Sequence, residues 1–417
     1  MRKFMTRSFY ALVVSQCSTN LGFSLYTMVV VLHLYDETQS TTLAALVTLV
    51  SLFSRMMSSL TLPLLSDKFK PTHILMTSQM TQFVFLFVLV ALFFQEMNTL
   101  TILFFFIVLA VISIFNGIFA PIKSSLVKAV VPEESRVKAN SLLASVDQTF
   151  LFAGWTFGGV LIAFLGKEPT LYITCSLILL SIFSLSLVKV IHATNIQAQD
   201  GLIARLTTGW KYLFTHKGLK VLIMMDLLEA WVGMIWIGAV TLTYVEDALG
   251  KGETWWGYIN GGYNLGTIIG GILVFRFSKL FQGRLTTFML IGSVAFGLLT
   301  FAYGFVSNPI LALLLVLLMG PSYQMRDLAQ ETLFQNSTDE ATLTKILAAK
   351  STLIQLISIV SILGIGALTD LIGVRLIYIL SGCLMIFSSV YGFINLHVRG
   401  KVAFLKSESL NGKIHIE

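Results

Sequence analysis

The stretch VLIMMDLLEAWVGMIWI, residues 221–237, is as apolar as a membrane-crossing helix yet carries two acids, Asp226 and Glu229, three residues apart. On insertion scales a charge at a helix centre costs about 2.5–3.5 kcal/mol, so both carboxylates need water or a partner. At i and i+3 they share one helical face. The rest of the chain supplies the setting. Of its 417 residues, 56% are hydrophobic and only 12% charged, whereas a soluble protein of this size needs a far more polar surface. Apolar runs of about 20 residues, the length that crosses a bilayer core, recur twelve times: about 8–34, 41–65, 72–95, 99–122, 138–165, 170–191, 219–245, 254–276, 285–306, 309–334, 343–368 and 374–396. The expected fold class is an all-α polytopic membrane protein with twelve transmembrane helices.

The formal net charge of +7 reads as topology rather than as affinity for nucleic acid. With the N-terminus placed inside, Lys167, Lys251 and Arg375 fall on the outer side and Arg55 within a span. Most of the other lysines and arginines fall on the inner side, where short loops accumulate them. Both termini are therefore expected in the cytoplasm, with lipid as the surrounding partner. Cys17, Cys175 and Cys383 are scattered through the spans and imply no disulfide framework or metal cluster. The MRKFMTR start followed by a long apolar run reads as an uncleaved first helix.

The longest internal polar stretch divides six spans from six. The expected domains are an N-terminal bundle (1–192), a cytoplasmic linker (193–218), a C-terminal bundle (219–398) and a cytoplasmic tail (399–417). Within the linker, GLIARLTTGWKYLFTHK (201–217) has the spacing of an amphipathic helix lying on the inner membrane surface. The halves resemble each other at an offset of about 207. Glu133-Glu134 matches Asp339-Glu340, KANSL (138–142) matches AKSTL (349–353), and Gly159-x6-Gly166 matches Gly366-x6-Gly373. A parallel repeat of two bundles is the organisation of rocking transporters.

Three segments carry a resemblance to a known family. FAPIKSSLVKAVVPEESRVKANSLLAS (119–145), ETLFQ (331–335) and GALTDLIGVR (366–375) resemble the major facilitator superfamily, in its macrolide-efflux, drug:proton antiporter-like branch. The resemblance implies two six-helix bundles with spans 1, 4, 7 and 10 lining a central cavity. It also implies a gating role for Asp67, in the LPLLSDKFKP loop (62–71), and for Gly154, Gly158 and Gly159 of GWTFGG (154–159). Two departures stand out: Trp155 occupies the position of the antiporter motif's proline, and the loop around Asp67 lacks the family's glycines.

Among the ionisable residues in the runs, seven are candidates for function: Arg55, Asp147, Asp226, Glu229, Arg326, Asp327 and Glu331. Asp226 and Glu229, with Asp147 behind them, are the expected proton carriers, because desolvation and a nearby arginine pull a carboxylate's protonation in opposite directions. A static salt-bridge network is the alternative. Arg326 is either their counter-ion or, with Asp327, part of a substrate site; Arg55 either binds a substrate carboxylate or pairs with Asp147. Gln16 and Asn20 form a polar stripe on span 1, while Asn116, Tyr323, Gln330 and Trp231 extend the pocket. A bend is expected at Gly320-Pro321.

No phosphate-cradling loop, catalytic triad or metal-ligand spacing is present in the sequence, so no enzyme activity, cofactor or metal is expected. The expectation is a monomeric secondary exporter in the bacterial cell membrane, moving a small amphiphilic or zwitterionic molecule by alternating access and proton antiport, as in drug and antibiotic efflux. The alternative is export of a self-made metabolite such as an opine-type, staphylopine-like metallophore.

Overall fold

The computed structural model describes residues 6–189, 202–236 and 239–398; the expected tail (399–417) and the first part of the linker (193–201) lie outside them. Every described regular element is helical. In chain order the α-helices are α1 (Arg7–Thr38), α2 (Thr41–Ser66), α3 (Pro71–Leu92), α4 (Thr99–Gly117), α5 (Phe119–Val130), α6 (Arg136–Leu165), α7 (Lys167–Ser186), α8 (Leu202–Thr215), α9 (Lys217–Gly233), α10 (Ala239–Thr243), α11 (Glu253–Arg276), α12 (Ser278–Gln282), α13 (Leu285–Tyr303), α14 (Pro309–Asn336), α15 (Glu340–Ile372) and α16 (Val374–Phe393).

Packing divides the chain into two units: Met1–Gly209 with Thr338–Gln355, and Trp210–Ser337 with Leu356–Glu417. In the first, α1 packs on α6 and α7, and α4 on α2 and α3, around Tyr26, Val29, Leu34, Phe105 and Leu171. In the second, α14 packs on α11 and α13, and α16 on α9 and α13, around Tyr303, Val316, Met319 and Tyr378. The α11–α14 contact is backbone to backbone. A Cβ at Gly320 would sit 2.2 Å from the carbonyl carbon of Gly266. The helix α14 runs on through Pro321 as one element, and Gly320 serves this close approach.

Ten helical stretches among the described residues are long and apolar enough to cross a membrane, and a bent pair raises the number to eleven. The twelfth expected span corresponds to α11, which has the length but dilutes its apolar run with Asn260, Asn264 and several glycines. Span 4 extends beyond its expected end at 122, because α4 and α5 together run from Thr99 to Val130. The expected linker helix is present as α8. Its Gly209 lies so close to α15 that a Cβ there would sit 2.2 Å from the Lys345 carbonyl oxygen.

The internal repeat reappears as a joint. Gly166 links α6 to α7 with φ +91°, and Gly373, 207 positions later, links α15 to α16 with φ +84°. Residues with a Cβ rarely adopt that conformation, so the repeated Gly-x6-Gly spacing encodes the same turn twice.

Candidate functional site

The two acids of the opening stretch lie on α9 and face Arg326 of α14. Arg326 Nη2 donates to Asp226 Oδ1 at 2.6 Å, and its Nε lies 2.8 Å from Glu229 Oε2. The Nε–Glu229 approach is an ion pair by distance rather than an aimed hydrogen bond. The three side chains are 7%, 5% and 15% exposed for Arg326, Asp226 and Glu229 respectively. Asp327 lies 3.6 Å from Arg326 Nη1 but is partly open to solvent. Glu229 Oε1 also accepts hydrogen bonds from Ser293 Oγ (2.9 Å) and Ser388 Oγ (3.1 Å), and Ser389 Oγ donates to Ser293 Oγ at 2.8 Å. One turn along α9, Gln330 Nε2 donates to the Leu222 carbonyl at 3.0 Å, fastening α14 to α9. Gln330 is therefore a strut beside the charges. One buried cation thus serves two buried carboxylates.

The stretch itself is not one continuous helix. After Gly233 it tightens into a single 3₁₀ turn, Met234–Trp236, and Val240–Ala248 leaves at 58° to Lys217–Trp236. A break inside a membrane frees backbone carbonyls, which must find donors. Here the Ile235 carbonyl accepts from Thr241 Oγ1 and Tyr378 Oη, each at 3.1 Å, and the Trp231 carbonyl accepts from Ser361 Oγ. Trp236 stacks on Tyr263 at 5.9 Å and packs against Phe296, Tyr303 and Tyr378. Tyr323 reaches the same group through Phe296 and Tyr263. Trp231 packs against the same core; the four ring contacts are those of Trp236.

The first unit holds a second cluster. Asp147 on α6 pairs with Lys123 of α5 at 2.9 Å and accepts from Asn20 Nδ2 at 2.9 Å. Gln16 Nε2 donates to Asn20 Oδ1 at 3.3 Å, so the polar stripe of α1 does meet the acid. Lys123 escaped the sequence reading because span 4 was ended one residue before it. Arg55 does not pair with Asp147. It lies near the middle of α2 with its guanidinium over the Phe23 ring, 4.6 Å from the centroid. Asn116 is half-buried at the end of α4.

Of the residues expected to gate, Asp67 caps α2 and pairs with Lys345 of α15 at 2.6 Å. Gly154 and Gly158 let α6 lie against α1: a Cβ would sit 2.6 Å from Ser24 Cβ and 2.8 Å from Met28 Sδ, respectively. Gly159 has only an ordinary contact with Met28. The serines that hold Glu229 were not anticipated, since nothing distinguishes them from the many other serines of the spans.

Residues 12–325 match the family model described as Major Facilitator Superfamily. The chain is 46% identical over 400 residues to the uncharacterised MFS-type transporter YfmI of Bacillus subtilis (strain 168), with 95% of this chain and 98% of that one covered. It is 28% identical over 384 residues to the uncharacterised MFS-type transporter YjbB of the same organism, with 91% and 93% covered. Its fold is similar to the crystal structure of a bacterial homologue of the iron transporter ferroportin in an outward-facing state. There the TM-score is 0.76 at 16% identity, with 94% of this chain and 99% of that one covered.

Proposed function

The chain belongs to the major facilitator superfamily, and from that premise we propose that it is a proton-coupled antiporter exporting a small amphiphilic or zwitterionic solute. As a member it is a multi-pass membrane transporter of small molecules rather than an enzyme. The observation that carries the coupling proposal is the ratio of charges at Arg326. One guanidinium, which cannot be deprotonated, faces Asp226 and Glu229, both largely hidden from water. It can neutralise one of them. The other is a buried carboxylate that is stabler carrying a proton than bare, and access from one side or the other then decides when the proton is exchanged. Glu229 is the proposed carrier. Its Ser293 and Ser388 partners are hydroxyls that can donate to a carboxylate or accept from a carboxylic acid, so both protonation states keep their hydrogen bonds. Asp226 is the proposed fixed counter-charge, and Asp147, matched one to one by Lys123, is the weaker candidate.

Outward direction and a drug-like solute are supported by the resemblance of residues 119–145 to macrolide-efflux proteins. The proposed location is the bacterial cell membrane, with both termini cytoplasmic and the chain a monomer. Cells lacking competing pumps, loaded with ethidium, provide the test. Expression of the chain should speed ethidium loss, and a protonophore or Glu229→Gln should abolish the gain. Loss that persists after the proton gradient is collapsed would contradict antiport. Export of a self-made zwitterion of the opine-metallophore type is favoured by one observation, the unmatched charge of Arg55.

A further inference from the structure

We infer that Arg55, with Phe23, Tyr26 and Ser58, forms a receiving site for the anionic group of a small organic anion, a carboxylate or phosphonate carried on an apolar body. The inference rests on the reading of this chain as a small-solute transporter and deepens it by naming a substrate class.

Among the described residues Arg55 makes no ion pair and no hydrogen bond, and its Nε is shut off from solvent without a partner. Every other arginine or lysine in the middle of the first unit's spans has an acid: Lys123 is taken by Asp147. A guanidinium keeps its charge at any accessible pH, and a permanent charge within a span needs water or a counter-ion. The contact Arg55 does have is the face of Phe23 at 4.6 Å. An aromatic face engages the flat side of the cation and leaves its edge, the fork that grips carboxylate and phosphate oxygens, uncommitted.

Two further polar groups on the neighbouring turns of α1 and α2 are unmet, one of them on the side of α2 that packs on Gly117 of α4. Ser58 lies one turn along α2, and its buried Oγ has no partner. Tyr26 lies one turn along α1, its ring 5.8 Å from that of Phe23, and its buried hydroxyl likewise has no partner. Buried hydroxyls ordinarily find partners; two unmet hydroxyls and one unpaired guanidinium are the complement of a multi-oxygen anion. The Phe23 and Tyr26 rings supply apolar surface for the remainder of the solute.

The test uses the purified full chain in lipid nanodiscs and measures equilibrium binding and thermal unfolding. Benzoate and phenylphosphonate serve as probes, benzamide as the neutral isostere of benzoate, and tetraphenylphosphonium as a cation. Wild type should bind benzoate or phenylphosphonate saturably and be stabilised by it, with benzamide inert. Losing a charge-assisted fork contact should weaken binding by about tenfold or more in Arg55→Gln, with Arg55→Lys in between. Without ligand, Arg55→Gln should unfold at or above the wild-type temperature, because an unmatched charge has been removed. Should that variant not fold, Arg55→Lys against Thr61→Ala, an exposed position of α2 outside the site, replaces it: binding should fall in the first and persist in the second. Equal binding of the anions by wild type and the Arg55 variants, or stabilisation by tetraphenylphosphonium alone, would overturn the inference. Anion binding through Arg55 in a protein that shows no proton-driven ethidium loss would leave this site standing and sink the reading of the chain as an exporter of cationic drugs. Proton-driven loss without anion binding would do the reverse.

Discussion

The two units manage buried charge in opposite ways. In the first, Lys123 and Asp147 cancel each other and Arg55 is left over, so the interior carries a surplus cation. In the second, Arg326 answers to Asp226 and Glu229 at once, with Asp327 nearby, so the interior carries surplus acid. The sequence nonetheless repeats, and Gly166 and Gly373, 207 positions apart, both form a positive-φ joint between two helices. The difference therefore lies in side chains set on similar scaffolds. Surplus acid is a place to hold a proton; a surplus permanent cation, which cannot release one, is a place to hold an anion.

The largest expected effect is at Arg326. Removing it strands two buried carboxylates, and truncating one partner of a buried ion pair typically costs about 3–5 kcal/mol. Arg326→Ala should lower the unfolding temperature in detergent sharply, and Glu229→Gln in the same chain should restore part of the loss. If Arg326→Ala unfolds like wild type, the surplus-acid description of the second unit fails. The corresponding change in the first unit should be milder. Lys123 and Asp147 are each nearly a fifth exposed, so water can reach the stranded charge, and Asp147→Asn should cost about 1–3 kcal/mol. Equal losses from the two substitutions would erase the contrast between the units.

Where the units are alike, they should respond alike. Gly166→Ala and Gly373→Ala each force a Cβ into a backbone of positive φ and extended ψ, a region almost confined to glycine, at about 1–3 kcal/mol apiece, and paired unfolding measurements should find similar losses. The smallest effect belongs to Asp339, at the start of α15. Its Oδ1 accepts the Thr342 N–H and its Oδ2 the Thr342 hydroxyl, both at 2.8 Å. Partial burial pushes its carboxyl up, but these bonds outweigh burial and hold it below the usual carboxylate range. A carboxyl depressed in the folded state adds stability above its unfolded value and loses it as pH falls through the folded one. Asp339→Ala should therefore cost about 1 kcal/mol at neutral pH, with the gap from wild type closing in acid.

Much of this arrangement was legible from residue type alone. Charges stand out in apolar runs, so Asp226, Glu229, Arg326 and Asp147 were visible, and the Gly-x6-Gly repeat marked both joints. Other parts were hidden for physical reasons. The break after Trp236 has no proline to announce it; the carbonyls around it take donors from Thr241 nearby and from Tyr378 and Ser361, distant in sequence. Lys123 sits at the fifth position of α5, where hydropathy alone places the end of a span. The serines around Glu229 come from α13 and α16, and only tertiary packing brings them to it.

The central claim is that one buried arginine shared by two carboxylates leaves Glu229 as the group that takes up and releases a proton. Infrared difference spectroscopy of the purified protein, titrated across neutral pH, reads that directly through the C=O stretch of a protonated carboxylic acid. Wild type should show a buried carboxylic-acid band that disappears as pH is raised, and Glu229→Gln should lack it, whereas Asp147→Asn should retain it. A wild-type spectrum with every buried carboxyl ionised throughout the titration, or a band indifferent to Glu229→Gln, would contradict the assignment of Glu229 as the proton carrier.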